Sequence, residues 1–301
     1  MQVRNLVTLV FCQLISATGS IVMVTLGGII GSQLGSSQAL STLPLSMIVI
    51  AMAATTIPAT MLMRSIGRRK GFALASASAV VALGVAILAL GEQSFLLFCV
   101  AAMLFGINMA FTHQYRYAAA ESVATRYVPR AVSLVLVGSI GGALLGPELA
   151  VRGVDWVETI PYAGTMFALM ALYALQAVLF LSMGVLGHDH AAEPEDTGRR
   201  TATIVRQPVF VVAVLGGVAG YCLMTLVMTA TPLSMHVAQG FSLEETANVI
   251  RFHVLGMYIP SLFAGFIIER IGVSRLMFAG AVALIGTSVI GLQGHSYMHY
   301  R

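Results

Sequence analysis

Long uninterrupted stretches of apolar residues follow one another along the whole chain, separated by short polar turns. No charged residue occurs between Arg4 and Arg64, which leaves room for two segments of the roughly 20 apolar residues that cross a bilayer. No stretch alternates with a period of two, so helices are predicted rather than the strands of a barrel. We predict nine spans, at residues 6–29, 42–63, 71–90, 94–115, 131–150, 161–186, 209–231, 250–268 and 276–293.

The composition indicates which solvent surrounds the folded chain. Hydrophobic residues make up 58% of the chain and charged residues only 9%, with a mean hydropathy of +0.90. Soluble domains carry about 25% charged residues, so a chain of 301 residues this apolar could not cover a surface in water. The sequence therefore predicts an all-α polytopic membrane protein whose surroundings are the lipid bilayer.

The positions of the charged residues along the chain explain the net charge of +4. When the predicted loops are assigned alternately to the two sides, one side receives Arg4, Arg64, Arg68, Arg69, Lys70, Arg126, Arg130, Arg199, Arg200, Arg206, Arg270 and Arg275. The other side receives Arg152, Arg251 and Arg301. This asymmetry places the amino terminus in the cytoplasm and the protein in the cytoplasmic (inner) membrane. Membrane topology therefore explains the excess of basic residues, and no nucleic-acid partner is predicted.

A polar segment at residues 187–207 divides the spans into six and three. It lacks apolar periodicity, so we interpret it as a flexible cytoplasmic linker between a six-helix bundle at 1–186 and an incomplete second bundle at 208–301. His188 and His190 beside three acids leave a loose metal site as an alternative. Elsewhere the sequence shows no metal spacing, disulfide framework or cofactor motif, and the expectation is that no metal or cofactor is used.

Two loops in corresponding places repeat the same pattern. Residues 62–70 follow the second span and residues 265–272 follow the eighth, and their glycines, Gly67 and Gly272, are 205 positions apart. The next turns, at Gly91 and Gly294, keep nearly the same offset. A tandem duplication of helices is typical of solute carriers. If the second half copies the first, about three further helices follow, and we expect this chain to be a fragment or the product of a truncated gene.

At this point the chain resembles the major facilitator superfamily, whose members have six plus six helices and a Gly-x-Leu-x-Asp-Arg-x-Gly-Arg-Arg-like loop after the second helix. The second loop matches with Gly265, Ile267, Glu269, Arg270 and Gly272. The first loop keeps Leu62, Gly67, Arg68 and Arg69, but Arg64 replaces the acid. The fifth span is similar to that of the superfamily's antiporters in ending a glycine series with Gly146-Pro147. The resemblance implies a 6+6 helix repeat, with about nine helices present here.

The resemblance also implies gating residues. In the superfamily, the acid of each loop docks on a helix amino terminus of the opposite bundle, where the helix dipole favours a negative charge. Here Glu269 is the acid that could close the cytoplasmic side, against the start of the fifth span at residues 129–131. The predicted gating set is Gly67, Arg68, Arg69, Gly146, Pro147, Glu269, Arg270 and Gly272. Arg68 and Arg69 could instead only fix topology, and the glycines of the fifth span could serve packing rather than bending.

Polar side chains inside the spans are the candidates for contact with a solute, because lipid excludes polar groups without a function or a partner. The predicted solute-binding residues are Gln13, Asn108, Tyr115, Arg116, Tyr221, Met224 and His253. Arg116 could instead extend to the interface and pair with Glu121. Tyr221, Met224 and Met228 form a stripe that is either cavity wall or bundle core, and His253 is either a structural histidine or a group that handles solute or protons.

These features favour a secondary active transporter that moves a small organic solute by alternating access, with the Gly-Pro pattern favouring antiport or efflux. No carboxylate lies in the middle of a span, so proton coupling would use a histidine such as His113 or His253, would lie in further helices, or would be absent. The alternative is a non-transporting, degenerate carrier that binds a solute or a partner. The sequence has no nucleotide loop, metal box or nucleophile triad, so an enzyme is not predicted.

Overall fold

The computed structural model describes residues 3–124, 127–184, 201–291 and 300. Eleven α-helices are present in these ranges: α1 Val3–Leu34, α2 Leu43–Ile66, α3 Arg68–Gly91, α4 Phe95–Thr112, α5 Tyr115–Glu121, α6 Val128–Arg152, α7 Ala163–Ser182, α8 Thr201–Val205, α9 Pro208–Pro232, α10 Leu243–Ile271 and α11 Val273–Gly291. Short 3₁₀ turns lie at Gln38–Leu40 and Gly153–Trp156, and a π-helical turn follows α9 at Leu233–Ala238.

The described part of the chain has eight helices that are long and apolar enough to cross a membrane. They account for eight of the nine predicted spans, and the remaining prediction, 250–268, lies inside the 29-residue helix α10. The prediction of an all-α polytopic protein is therefore confirmed. Most of the predicted linker lies outside the described residues, including His188 and His190, and α8 occupies five of its last seven positions.

The helices from α1 to α7 pack into one bundle. Helix α1 packs against α6, and α3 lies between α4 and α7. Its central core is built from aliphatic and aromatic side chains such as Leu26, Leu83 and Phe105, each no more than 1% exposed. A second cluster, which includes Phe72, Tyr115 and Phe180, fills the end of the bundle near the α2–α3 turn, with ring centroids 4.9–5.2 Å apart.

Contacts at the two ends of the bundle show an alternating up-and-down course. The Asn5 side chain exchanges two hydrogen bonds with the backbone of Gly184, at 2.9 and 3.2 Å, which places the start of α1 beside the end of α7. At the other end, Gln33 Nε2 donates to the hydroxyl of Tyr162 at 3.1 Å, beside the start of α7. The amino terminus and the approach to the predicted linker therefore lie on one face of the bundle.

Helices α9 and α10 lie against this bundle less extensively, and α11 packs on α10. Helix α10 packs along α6, and α9 touches α1. The most apolar windows of α9 and α11 contain no buried residue. A space therefore remains between α9 and α10 on one side and the first bundle on the other.

Candidate functional site

The main cavity of the described structure lies between the two groups of helices and has a volume of about 570 Å³. Helices α1, α2 and α4 form one wall, and α9 and α10 form the other. Its volume falls within the roughly 300–1,000 Å³ of pockets that hold drug-sized ligands. Because the walls come from both sides of the predicted repeat, a movement of one side against the other would change access to the space.

Methionines are the most frequent residue in the walls of this cavity. Six of them face it from all five helices: Met23, Met52, Met109, Met224, Met228 and Met257. The remaining apolar wall is aliphatic, with residues such as Ile21, Leu45 and Val254. Methionine is flexible and polarizable, and its sulfur makes favourable contacts with aromatic rings.

The polar groups of the cavity are uncharged hydroxyls and one imidazole. Ser20 and Ser46 contribute from the first bundle, Thr225 and Thr229 come from α9, and the phenols of Tyr221 and Tyr258 come from α9 and α10. His113 lies at the end of α4 and supplies the ring nitrogens. No Asp, Glu, Lys or Arg is among the described residues of the lining. Such walls suit a neutral ligand with an apolar body and a few hydrogen-bonding groups.

Two of the predicted solute-binding residues, Tyr221 and Met224, lie on the cavity wall. Met228, the third member of their stripe, lines it as well. In the described part of the chain this face of α9 lines the cavity, and Pro232 is the only buried residue of the helix. Whether these side chains contact a solute remains a prediction.

The other five predicted residues lie outside the lining. Gln13 Nε2 donates to Ser139 Oγ at 2.9 Å and so links α1 to α6. Asn108 is fully buried, where its Nδ2 donates to the carbonyl of Ala75 at 2.9 Å. Tyr115 is also fully buried, with its hydroxyl accepting from Gln176 Nε2 at 2.9 Å. These three side chains connect helices within the first bundle.

Arg116 and His253 lie near the cavity without lining it. Arg116 is exposed, donates from Nε to the carbonyl of His113 at 3.3 Å, and holds its guanidinium 5.8 Å from the ring centre of Tyr117. Its alternative pairing with Glu121 is not formed, because Arg68 occupies that carboxylate. His253 is partly buried on α10 beside Val254, and its Nε2 has no hydrogen-bond partner among the described residues.

Among the helices, α2 contributes the most wall residues that the sequence did not single out, between Leu45 and Met52. Within that stretch only Ser46 is polar, and its hydroxyl bonds the carbonyl of Thr42 within its own helix. An apolar residue that faces a cavity and one that faces lipid look the same in a sequence. His113 could be recognised from the sequence, because it is one of the few titratable residues inside a predicted span.

The predicted gating loops have matching geometry. Gly67 joins α2 to α3 with φ 84° and ψ 154°, and Gly272 joins α10 to α11 with φ 81° and ψ 158°. In each case a single residue separates two helices, and a positive φ there favours glycine. The two loops that match in sequence are thus also the same turn in structure.

Charges at these two turns are paired differently. Arg68 forms a two-pronged ion pair with Glu121, with Nε 2.6 Å from Oε2 and Nη2 2.5 Å from Oε1. This contact joins the start of α3 to the end of α5 within one bundle. Glu269 and Arg270 are exposed at the end of α10, and within the described ranges Glu269 has no ion-pair partner. The predicted contact of Glu269 with residues 129–131 therefore stays a prediction.

The glycines of α6 face α1. A Cβ on Gly142 would lie 2.5 Å from the Cβ of Ala17, and one on Gly146 would lie 2.9 Å from the Cβ of Ile21. Helix α6 continues through Pro147 to Arg152. The glycine face therefore permits close helix packing, which was one of its two predicted roles.

Opposite the glycine turns, α6 and α10 are joined by charge. Glu148 Oε2 accepts from Arg251 Nη2 at 3.0 Å, and Glu148 Oε1 lies 2.5 Å from Arg152 Nε. A polar cavity of about 320 Å³ adjoins this cluster, which also includes Glu244 and Asn248. Glu148 lies near the end of α6 and Arg251 near the start of α10, whereas Gly272 follows the other end of α10.

Comparison with known proteins gives one family and several relatives. The sequence model described as Major Facilitator Superfamily matches residues 9–297. A protein of Brucella anthropi named riboflavin transporter RfnT is 34% identical over 299 residues, covering 99% of this chain and 75% of that protein. Two proteins of Bacillus subtilis named uncharacterized MFS-type transporters, YdeG and YddS, are 28% and 25% identical, each covering 95% of this chain and 70% and 69% of their own lengths.

Proposed function

Because this chain belongs to the major facilitator superfamily, and is thus a multi-pass membrane transporter of a small solute rather than an enzyme, we infer that its solute is a neutral, planar aromatic compound, with riboflavin as the first candidate. The observation that carries this proposal is the lining of the main cavity. Methionine sulfurs and two phenols suit the face of a fused ring system, and the serine and threonine hydroxyls suit hydroxyl groups on its side chain. The name of the 34% identical relative points to the same chemistry.

Alternating access supplies the mechanism of the proposal. One half is the bundle at 1–186, and the other begins after the linker at 187–207 and continues from 208. Rocking of α9 and α10 against α1, α2 and α4 would open the cavity first to one side and then to the other. The Gly67 and Gly272 turns lie on the side that the positive charges assign to the cytoplasm of an inner membrane. Gly67, Arg68, Arg69, Gly146, Pro147, Glu269, Arg270 and Gly272 belong to this machinery.

Coupling and direction complete the proposal. His113 is the described cavity residue whose ordinary pKa lies nearest neutrality, so it is the group we assign to proton coupling, with His253 beside the wall residue Val254 as the second candidate. The Gly146-Pro147 pattern supports exchange of solute against protons. Uptake and efflux differ only in the direction of the gradient that drives them.

The test is transport of riboflavin by the chain itself. Proteoliposomes that contain the purified protein are loaded with unlabelled riboflavin, and entry of labelled riboflavin by exchange is measured. Labelled riboflavin should accumulate above protein-free liposomes, and Tyr221→Ala should reduce the rate at least several-fold. Leu215→Ala is the matched control, because Leu215 is exposed on the same helix outside the cavity lining. Exchange no faster than in protein-free liposomes would refute riboflavin as the solute.

A further inference from the structure

Among the described residues, the walls of the main cavity contain no fixed positive charge that could receive an anion. Its described lining comprises apolar side chains, hydroxyls and His113. The arginines closest in sequence to lining residues are Arg116 and Arg251, and the guanidinium of Arg116 lies over the ring of Tyr117 rather than on the cavity wall. The Glu148, Arg152 and Arg251 cluster belongs to the separate polar cavity.

An anionic group would therefore have to leave water without a partner. A phosphate monoester carries about −1.5 to −2 charges at neutral pH. Transfer of an ionised group into apolar surroundings is far more costly than transfer of a hydroxyl, unless an opposite charge or several strong donors meet it. Ser20, Ser46 and the Thr225–Thr229 pair lie on three different helices and bring neither a positive charge nor a cluster of backbone amides to one point.

We propose that the cavity selects the dephosphorylated form of its solute, so that riboflavin binds and riboflavin 5′-phosphate is excluded by charge rather than by size. This inference rests on the proposed function and deepens it. It assigns specificity to the uncharged walls on α1, α2, α4, α9 and α10. The chemistry next to the carrier must then be phosphate removal before transport or phosphate addition after it, if a phosphorylated flavin is present on either side.

The test compares three ligands on the purified full chain at pH 8, where an ordinary imidazole is neutral. Dissociation constants are measured by quenching of flavin fluorescence for riboflavin, riboflavin 5′-phosphate and a neutral riboflavin 5′-acetate. The phosphate should bind about 100-fold more weakly than riboflavin, or worse. The acetate should bind within about 5-fold of riboflavin, because it adds bulk at the same position without charge.

A cation placed on the wall should reverse the preference. Thr225→Lys should strengthen binding of the phosphate at least about 10-fold relative to riboflavin, while the neutral control Thr225→Gln should leave the ratio unchanged. Binding of riboflavin and its phosphate within 3-fold would overturn charge selection and leave the proposed function standing. Exclusion of both phosphate and acetate would also overturn it, because size would then decide. Failure of all three ligands to bind would refute riboflavin as the solute, and this inference with it.

Discussion

Glu148 of α6 accepts a hydrogen bond from Arg251 of α10 at 3.0 Å, and this contact joins the first bundle to the helices that follow the linker. The same carboxylate also lies beside Arg152, one turn along its own helix. If α10 moved away from α6, Glu148 would keep a positive neighbour, whereas Arg251 would lose this partner. The contact therefore stabilises the packing of α10 on α6.

A double-mutant cycle should measure this contact. Glu148→Gln and Arg251→Gln should be non-additive, with a coupling of about 0.5–1 kcal/mol in the free energy of unfolding, because both side chains remain partly exposed to water. Unfolding in a titration with denaturing detergent provides the measurement. Arg152→Gln is the control, because Arg152 is 72% exposed and its contact with Glu148 lies within α6. It should change the free energy of unfolding by less than half as much as Arg251→Gln does. Additive effects of the two substitutions would contradict a direct contact.

Close packing of α1 against α6 should depend on the absence of side chains at the glycine face. Gly142→Ala should destabilise the protein by about 1–3 kcal/mol, because its Cβ would lie 2.5 Å from Ala17 and 2.8 Å from the backbone nitrogen of Thr18. Gly84→Ala on α3 is the matched control, because no atom lies within 4 Å of its added Cβ. The two variants are compared by thermal unfolding in one detergent. Equal melting temperatures would show that α6 can move away from α1 at little cost.

The helices, their order and the two matching turns could be predicted from the sequence, because span length, positive charge and turn glycines are each fixed by local physics. Gly67 and Gly272 were recognised in this way. The cavity could be predicted only in part. Tyr221 and Met224 line it, whereas inside the first bundle Asn108 donates to the carbonyl of Ala75 and Tyr115 accepts from Gln176.

The cavity was predicted less well than the helices because a polar residue inside a span can serve either of two roles. A buried bundle core in lipid needs hydrogen-bonded polar groups to fix its helices, and a cavity needs them to hold a solute. Sequence spacing does not distinguish the two, because both require a face turned away from lipid. The Arg68–Glu121 pair was likewise not predicted, since Arg116 is only five residues from Glu121 and Arg68 is 53 residues away.

The buried polar network around Gln176 should be important for the stability of the first bundle. Gln176 is fully buried, donates to Ser76 at 3.1 Å and to Tyr115 at 2.9 Å, and accepts from Ser16 at 3.3 Å. Gln176→Leu should lower the free energy of unfolding by about 1–3 kcal/mol, because buried hydroxyls would lose their partner. Thr56→Ala on α2, where the lost hydroxyl is exposed, should change it by less than about 0.5 kcal/mol. A Gln176→Leu variant as stable as the parent would contradict this role.

Glu269 should control closure on the side of the glycine turns. A single cysteine introduced as Ser20→Cys, in a background without the three native cysteines, reports access to the cavity from that side through its rate of labelling by an impermeant thiol reagent. Glu269→Gln should raise that rate at least 3-fold, because the neutral side chain loses its attraction to a helix amino terminus of the opposite bundle. Glu244→Gln, at the other end of α10, is the control and should leave the rate unchanged. An unchanged rate in Glu269→Gln would refute the latch.

The first turn of α10 should be sensitive to acid through its capping box. Ser242 donates to Glu245 Oε2 from its backbone nitrogen at 2.9 Å and from its hydroxyl at 2.8 Å, and its Oγ accepts from the backbone nitrogen of Glu245 at 3.2 Å. The hydrogen bonds from the Ser242 side chain and backbone lower the pKa of the Glu245 carboxyl below its usual range. Because the folded pKa is the lower one, the stabilisation is complete above the ordinary glutamate pKa of about 4.3. It is lost as the pH falls through the folded value.

Hydrogen exchange of the α10 amides measures this effect. Protection of the first turn, corrected for the intrinsic pH dependence of exchange, should be constant from pH 7 to pH 5 and should fall below pH 4. Glu245→Gln should remove the pH dependence, because its amide can still accept from Ser242 but does not titrate over this range. Glu244→Gln should retain it, since no hydrogen bond joins Glu244 to Ser242 in the described structure. Loss of protection at the same pH in Glu245→Gln would contradict the assignment of the acid sensitivity to Glu245.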